Sequence, residues 1–280
     1  MSQWMSMDLP SVQAIRNELE MTKFHIRKIH WLLMNTRRHA YMASAMERCR
    51  ATGKPPRGLV EFRAQFGEDC MLYELFEGKQ EGFFIEAGAF NGVDFSVSFA
   101  FEQLGWNGLL VEAIPKRAEE CRQQRPHSRV VHAAIGAPGG PADISFATTE
   151  DGYGGMLSRR MDTTDTLMPK LPADMPVVNV SVPFTALDAL LQDHPGPIDF
   201  VALDLEGGEV DALKGFSLSK FRPRVLLLED EVEAKTSPIR EYMSSQPYTF
   251  AGWAEVNLVY IHNDEKSLLE RFARMSVFGW

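Results

Sequence analysis

Residues Gly82 to Ser96 read GFFIEAGAFNGVDFS, an apolar run that ends in a carboxylate, turns through Gly88 and Gly92 and restarts with helical spacing. Two more apolar runs end in acid. GLLVEA places Glu112 at its tip, and IDFVALDLE places Asp204 and Glu206. A carboxylate at the tip of a buried strand can face a cation, accept hydrogen bonds from a diol or take up a proton. It is poorly suited to a phosphate, which it repels by roughly 1–4 kcal/mol at contact distance depending on screening. A pyrophosphate turn also needs GxGxxG, whose second glycine lets the anion reach the backbone. Phe90 stands at that position, and its ring would obstruct the approach.

The ligand favoured by these residues brings a positive charge and no pyrophosphate. S-adenosylmethionine meets both conditions. Glu86 can face its cationic end, directly or through water, and backbone amides around Gly88 and Gly92 can meet its carboxylate. Asn91 offers both a donor and an acceptor. Glu112 is placed to accept both ribose hydroxyls, the general role of an acid ending the second strand. Adenine would then rest between Ala113 and the end of the third strand at Ala133 and Ala134. For chemistry on a hydroxyl a base is needed, and Asp204 and Glu206 are the candidates. Two neighbouring carboxylates share a proton or raise one another's pKa, and Glu229, Asp230 and Glu231 end a further run nearby. Competing roles are helix capping by Glu206 and Glu209 and a hard cation such as Mg²⁺ held by the acids. His132 reads as a core residue, while His194 and His262 are bases only by default. Tyr153, in EDGYGG, could stack on a sugar ring.

The elements that must position these groups follow from the pattern. GFFIEA, GLLVEA and RVVHAAIG are continuous apolar runs of the kind buried on both faces of a parallel sheet. Helical stretches at Phe95–Leu104 and Pro115–Gln124 separate them. The alternation resumes with IDFVALDLE, a helical GEVDALKGF and PRVLLLEDE, and YTFAGWAEVNLVYIHN predicts two antiparallel strands at the sheet's edge. This is an α/β chain: a Rossmann-like, mostly parallel, seven-stranded sheet with an antiparallel C-terminal edge. Residues 137–196 interrupt the rhythm with strands in ADISFATT and VVNVSVPFTAL and long Gly-rich and Pro-rich connections, an insertion placed to cover the substrate side.

Ahead of this domain, residues 1–58 predict a helical arm. Val12, Ile15, Leu19, Thr22, Ile26, Ile29, Leu33, Thr36, Ala40 and Ala43 follow at alternating spacings of three and four, a heptad pattern. ATGKPPRG ends the helix. The arm should pair with another helix, either the same arm of a second subunit in a homo-oligomer or a surface of its own body. The whole chain carries a net charge of −9, yet residues 1–60 hold ten Lys and Arg against four acids, which leaves the remainder at −15. So acidic a body repels nucleic acid. The longest apolar stretch near the start, WLLM, is far short of the roughly 20 residues a membrane span needs. There is no signal-peptide pattern and no paired CxxC, so the expectation is a cytoplasmic protein without structural zinc or disulfides.

QFGED, FFIEAGAFNGVDFS, GWNGLLVEAIP, HAAIG, VPFTALDALL and IDFVALDLEGGEVDALKGF together resemble the FkbM-type methyltransferase family over about Gln65 to Glu231. The resemblance implies a class I methyltransferase that uses S-adenosylmethionine, usually on oxygen of sugars or natural-product intermediates. It implies that Glu86, Gly88, Asn91 and Gly92 form the cofactor turn and that Glu112 is the ribose acid. Gln65 would reach the methionine part, and Ser96 closes the same stretch. The chain departs from the family in carrying Glu at 86, where Asp is commoner, and the bulkier pair Ala89-Phe90. Two other readings stay open: a nicotinamide-dependent oxidoreductase acting on a sugar nucleotide, and a ligand-binding assembly module without catalysis.

Overall fold

The computed structural model describes residues 12–149, 159–160, 177–230 and 237–276. In chain order the elements begin with α1 (Val12–Thr52), α2 (Glu68–Leu75), β1 (Phe83–Ala87), α3 (Phe99–Gln103), β2 (Asn107–Glu112), α4 (Pro115–Gln124) and β3 (Ser128–His132). The inserted segment contributes β4 (Ala134–Ile135), β5 (Asp143–Thr149), β6 (Arg159–Arg160) and β7 (Val177–Thr185). Then come α5 (Leu187–Leu190), β8 (Phe200–Leu203), α6 (Glu209–Lys214), α7 (Leu218–Phe221), β9 (Val225–Glu229), α8 (Pro238–Met243), β10 (Tyr248–Ala254), β11 (Asn257–His262) and α9 (Lys266–Ser276).

Seven strands form the main sheet in the order β10-β11-β9-β8-β1-β2-β3. β9, β8, β1, β2 and β3 run parallel, while β11 is antiparallel to both β9 and β10. Side chains alternate between two cores, as a pleated strand requires. Phe84, Leu110, Phe200 and Leu227 face one, which also holds Trp106 and Phe101; Ile85, Leu109, Val201 and Leu228 face the other. Strand order reverses between β1 and β8, so their C-terminal ends splay into a crevice at the switch point. A second sheet, β4-β7-β5-β6, lies over a small core of Ile114, Ala134, Ile144, Phe146 and Val182.

Two expectations about elements change, and one element is added. The run Arg129–Gly136 divides, because β2 stops at Glu112 and β3 has no partner beyond His132; Ala134–Ile135 cross to pair with Phe184–Thr185 of β7. The helix expected from Phe95 begins at Phe99. Residues before it are held elsewhere: Phe95 adopts φ 62° and bridges Ala64, and the Val97 amide donates to Glu86. α9 had no counterpart in the sequence reading, although Leu268, Phe272 and Met275 bury one face of it in the first core. The connections EDGYGGMLSRR and DTTDTLMPKLPADMP, with Tyr153 and Glu231, lie outside the described residues except for Arg159 and Arg160.

α1 is continuous over 41 residues and only its second half docks. Ala45 and Cys49 are buried in the first core, with Tyr41, Met42 and Met46 against it. Arg38 donates to the Ala64 carbonyl at 2.5 Å and Tyr41 to Glu74 at 3.1 Å. The heptad stripe is not the docked face, since Leu33, Thr36, Ala40 and Ala43 remain exposed. Among the described residues no helix is long and apolar enough to cross a membrane. Ala45→Asp would bury a carboxylate without a partner at the docked face, and a loss on the order of 3 kcal/mol of unfolding free energy is expected in urea titrations. A change below about 0.5 kcal/mol would show that the helix does not dock there.

Candidate functional site

The turn after β1 is wedged against its neighbours. Amides of Gly88 and Ala89 donate to the Val111 carbonyl at 3.0 and 3.3 Å, and the Asp204 amide donates to Ala87 at 3.1 Å. Gly88 has φ 83°, and a Cβ there would overlap the carbonyl oxygen of Asp204. The position therefore needs glycine for both conformation and space. Phe90 (φ 49°), Phe95 and Glu206 (φ 52°) also occupy the left-handed region. Such strain in non-glycine residues clusters at functional sites.

These loops surround one cavity of about 1280 Å³, open mouth included, across the tips of β9, β8, β1, β2 and β3. It is lined by seven carboxyl-bearing residues: Glu68, Glu86, Asp94, Glu112, Asp204, Glu206 and Glu229. The lining contains no Lys, Arg or His among the described residues. A cavity of one sign concentrates its field and selects a ligand of the other.

Each carboxyl group is satisfied differently. Glu86 is buried and accepts from the Ser96 hydroxyl at 2.8 Å, the Val97 amide at 2.8 Å and the Ser98 hydroxyl. Behind it stands the fully buried Arg125, 3.9 Å away, which pairs with Glu102 at 3.0 Å and donates to Ser96, Ser98 and the Gly92 carbonyl. Glu112 accepts the Phe90 and Ile114 amides, each at 2.8 Å, one on each oxygen; burial raises its pKa to about 7. Glu68 accepts the Phe66 amide and the Asn257 side chain, both at 2.9 Å, and is likewise pushed by burial to about 7.

Asp204 opens into the cavity yet is enclosed by surrounding protein, and this desolvation raises its pKa. Glu229, hydrogen-bonded to it, is pushed up to about 11 by burial first and by the charge of Asp204 next. Burial thus raises both groups, and the hydrogen bond between them lets the pair share one proton. Glu209 caps the loop, accepting from Leu205 at 2.7 Å and Gly207 at 3.3 Å.

Of the residues singled out in the sequence, Gln65, Glu86, Gly88 and Ser96 line the cavity on one side. Glu112, Ala113 and Ala134 line it beyond β2, and Asp204 and Glu206 beyond β8. Two do not. The Asn91 side chain is used within its own turn, accepting from the Val93 and Asp94 amides and donating to Asp94 at 2.9 Å. Gly92 packs against Arg125 and Cys121. The expected pairing of Asp204 with Glu206 becomes a hydrogen bond with Glu229, because β8 and β9 are adjacent. His132 is half-buried and bonded to the Ala113 carbonyl at 3.0 Å rather than in the core; neither it, His194 nor His262 lines the cavity. Among the described residues no group of three His, Cys, Asp or Glu side chains has an arrangement that would hold a metal ion. The Mg²⁺ alternative thus finds no donor set there.

The sheet order with its reversed strand, and the cavity at its switch point, define a Rossmann-like methyltransferase fold carrying an added N-terminal helix. The methyltransferase FkbM domain matches residues 86–250, more than half of the 280-residue chain, and the chain belongs to that family. No curated protein matches it.

Gly88→Ala is expected to lose about 2 kcal/mol of stability by urea titration, from strain and overlap together; an unchanged midpoint would show that the turn can move away. The proton on Glu229 gives a second test. An acid whose folded pKa lies above its unfolded value near 4.5 binds more protons when folded, so its contribution declines as pH rises from about 4.5 towards 11. Glu229→Gln keeps a neutral donor, and its melting temperature should fall less than that of the wild type between pH 5 and pH 9. Parallel curves would contradict the shared proton.

Proposed function

We propose that the chain methylates a hydroxyl group of a sugar or natural-product intermediate, with S-adenosylmethionine as donor and Asp204 as base. The observation that carries this reading is the cavity lined at the strand tips by acids and, among the described residues, by no basic side chain. A cationic nucleoside fits such a lining, and the pyrophosphate of a nicotinamide dinucleotide does not, with Phe90 adding bulk where the anion would have to approach. The donor supplies a methyl group already activated on positively charged sulfur.

The remaining work belongs to the chain. Glu112 has each oxygen fixed by one amide, which leaves further lone pairs for a diol. Ala113, Ala133, Ala134 and Phe146 form an apolar slot beside it. Glu86, neutralised from behind by hydroxyls and Arg125, shapes the wall beneath the turn. Asp204 and Glu229 share a proton through their hydrogen bond, and the raised pKa of Asp204 makes it a stronger base than an ordinary carboxylate when it is ionised. Positioning the acceptor oxygen against the methyl group is the larger contribution, because displacement at such a carbon depends chiefly on alignment. A reducing cytoplasmic setting suits three buried free cysteines.

Calorimetry with S-adenosylmethionine and S-adenosylhomocysteine should show binding that Glu112→Ala weakens at least tenfold, about 1.4 kcal/mol. Binding that is absent in the wild type, or unchanged in the variant, refutes the cofactor assignment. Once an acceptor is found, Asp204→Asn is expected to lower kcat by about 10²–10⁴ with little change in cofactor affinity. A kcat within a factor of two of wild type would remove Asp204 from the role of base.

A further inference from the structure

The projecting half of α1 carries more apolar surface than an isolated helix in water would. Leu19, Met21, Phe24, Ile26, Ile29, Trp31, Leu32 and Leu33 are each about half to two-thirds exposed. Only part of this surface faces one way: Leu19, Ile26, Ile29 and Leu33 form one stripe, with Leu32 at its edge.

This surface is not made for the chain's own body. In the docked half the buried side follows Met34, Arg38, Tyr41, Ala45 and Cys49. Continued towards the N-terminus at 3.6 residues per turn, the same side meets Arg16, Glu20, Lys23 and Arg27, all exposed and charged, with the exposed rings of Trp31 and Phe24 at its margin. The apolar stripe Leu19–Ile26–Ile29–Leu33 lies roughly 115° around the helix from that side, at 100° per residue. An uncovered stripe in heptad register calls for a second helix of the same register.

We infer that residues 12–33 pair with the same segment of a second copy of this chain, in parallel. Charge selects both partner and direction. With Leu19, Ile26 and Leu33 as the first core position and Ile29 as the second, the flanking positions are Arg16, Lys23 and His30 on one side and Glu18, His25 and Leu32 on the other. A parallel pair sets Glu18 against Lys23 of the partner subunit, twice by symmetry. An antiparallel pair would set the basic flanks against each other. Because the stripe lies to the side of the docked face, a helix paired on it does not compete with the body for the same surface of α1. A membrane surface would be met by one apolar face bordered by bases. Here the apolar residues lie on two sides, with Phe24 and Trp31 outside the stripe.

Light scattering on the full chain at micromolar concentration tests this. The expected mass is at least twice 31.6 kDa, falling to a single chain in Leu19→Asp/Ile26→Asp. Both side chains are exposed, so the variant should keep the wild-type thermal unfolding of the body. Ile29→Cys should form a covalent dimer on oxidation, since a parallel pair sets it against its counterpart; no cross-link overturns the parallel arrangement. A wild type that is monomeric throughout, or an oligomer that survives the double substitution, overturns the pairing. So does a monomeric wild type that sediments with anionic vesicles. None of these readouts depends on the methyltransferase cofactor.

Discussion

Several carboxyl groups brought to one edge of a sheet repel one another, and much of the architecture around the cavity can be understood as the management of that repulsion. Two unit charges 4 Å apart interact by about 4 kcal/mol at the effective dielectric of a protein surface, and more when drier. Four devices limit the cost. Glu86 has two hydroxyls, an amide and a buried guanidinium. Glu112 has two amides, Asp204 has the proton of Glu229, and Glu209 has the amides of the loop it caps. The first sets a guanidinium against one carboxyl group, and the third lets two carboxyl groups share a proton. An arrangement of this kind would favour a cationic ligand, which relieves repulsion between the carboxyl groups of the folded chain.

Arg125 links this edge to the helix layer. It extends from the end of α4 to Glu102 on α3, to the carbonyl of Gly92 and to the hydroxyls that hold Glu86. The turn, the displaced start of α3 and the carboxylate at the tip of β1 are therefore one hydrogen-bonded unit. This accounts for Asn91 and Gly92 standing apart from the cavity. Their work is local: one side chain closes the turn, and one missing side chain admits Arg125 and Cys121. Such a network is worth having only when complete, since each buried member left unpaired costs more than its bond contributes.

How much of this could be read from residues alone depended on range. Strand-tip acids at 86, 112 and 204, and the apolar slot at 113 and 134, followed from runs of like residues interrupted by a charge, a purely local signal. The seven strands and the reversed edge were legible for the same reason. What escaped were pairings between segments distant in sequence. Glu229 obeys the same strand-tip rule as Glu112, yet its importance comes from lying beside Asp204, which depends on β8 and β9 being neighbours. Glu68 sits three residues after Gln65, but only Asn257, 189 residues away, shows that it faces the cavity. Likewise the arm's heptads announced a helix that pairs. Nothing in the spacing said that the half after Leu33 would dock on a different face, through Ala45 and Cys49.

The cavity has two kinds of wall. Strand tips supply its floor and four of its seven carboxyl groups, Glu86, Glu112, Asp204 and Glu229, and these are common to the sheet architecture. Two additions supply the rims: the Ala64–Gly67 segment, held by Arg38, Met34 and His30 of α1, and the second sheet, which brings Phe146 and Ile135. A donor bound along the strand tips would touch mainly the floor, while an acceptor entering from the mouth would meet the rims. On the proposed reading, discrimination among acceptors would fall to α1 and the inserted sheet rather than to the carboxylates. The two additions are suited to that task, because neither is needed to complete the main sheet, so each can vary in shape without disturbing the charges beneath it.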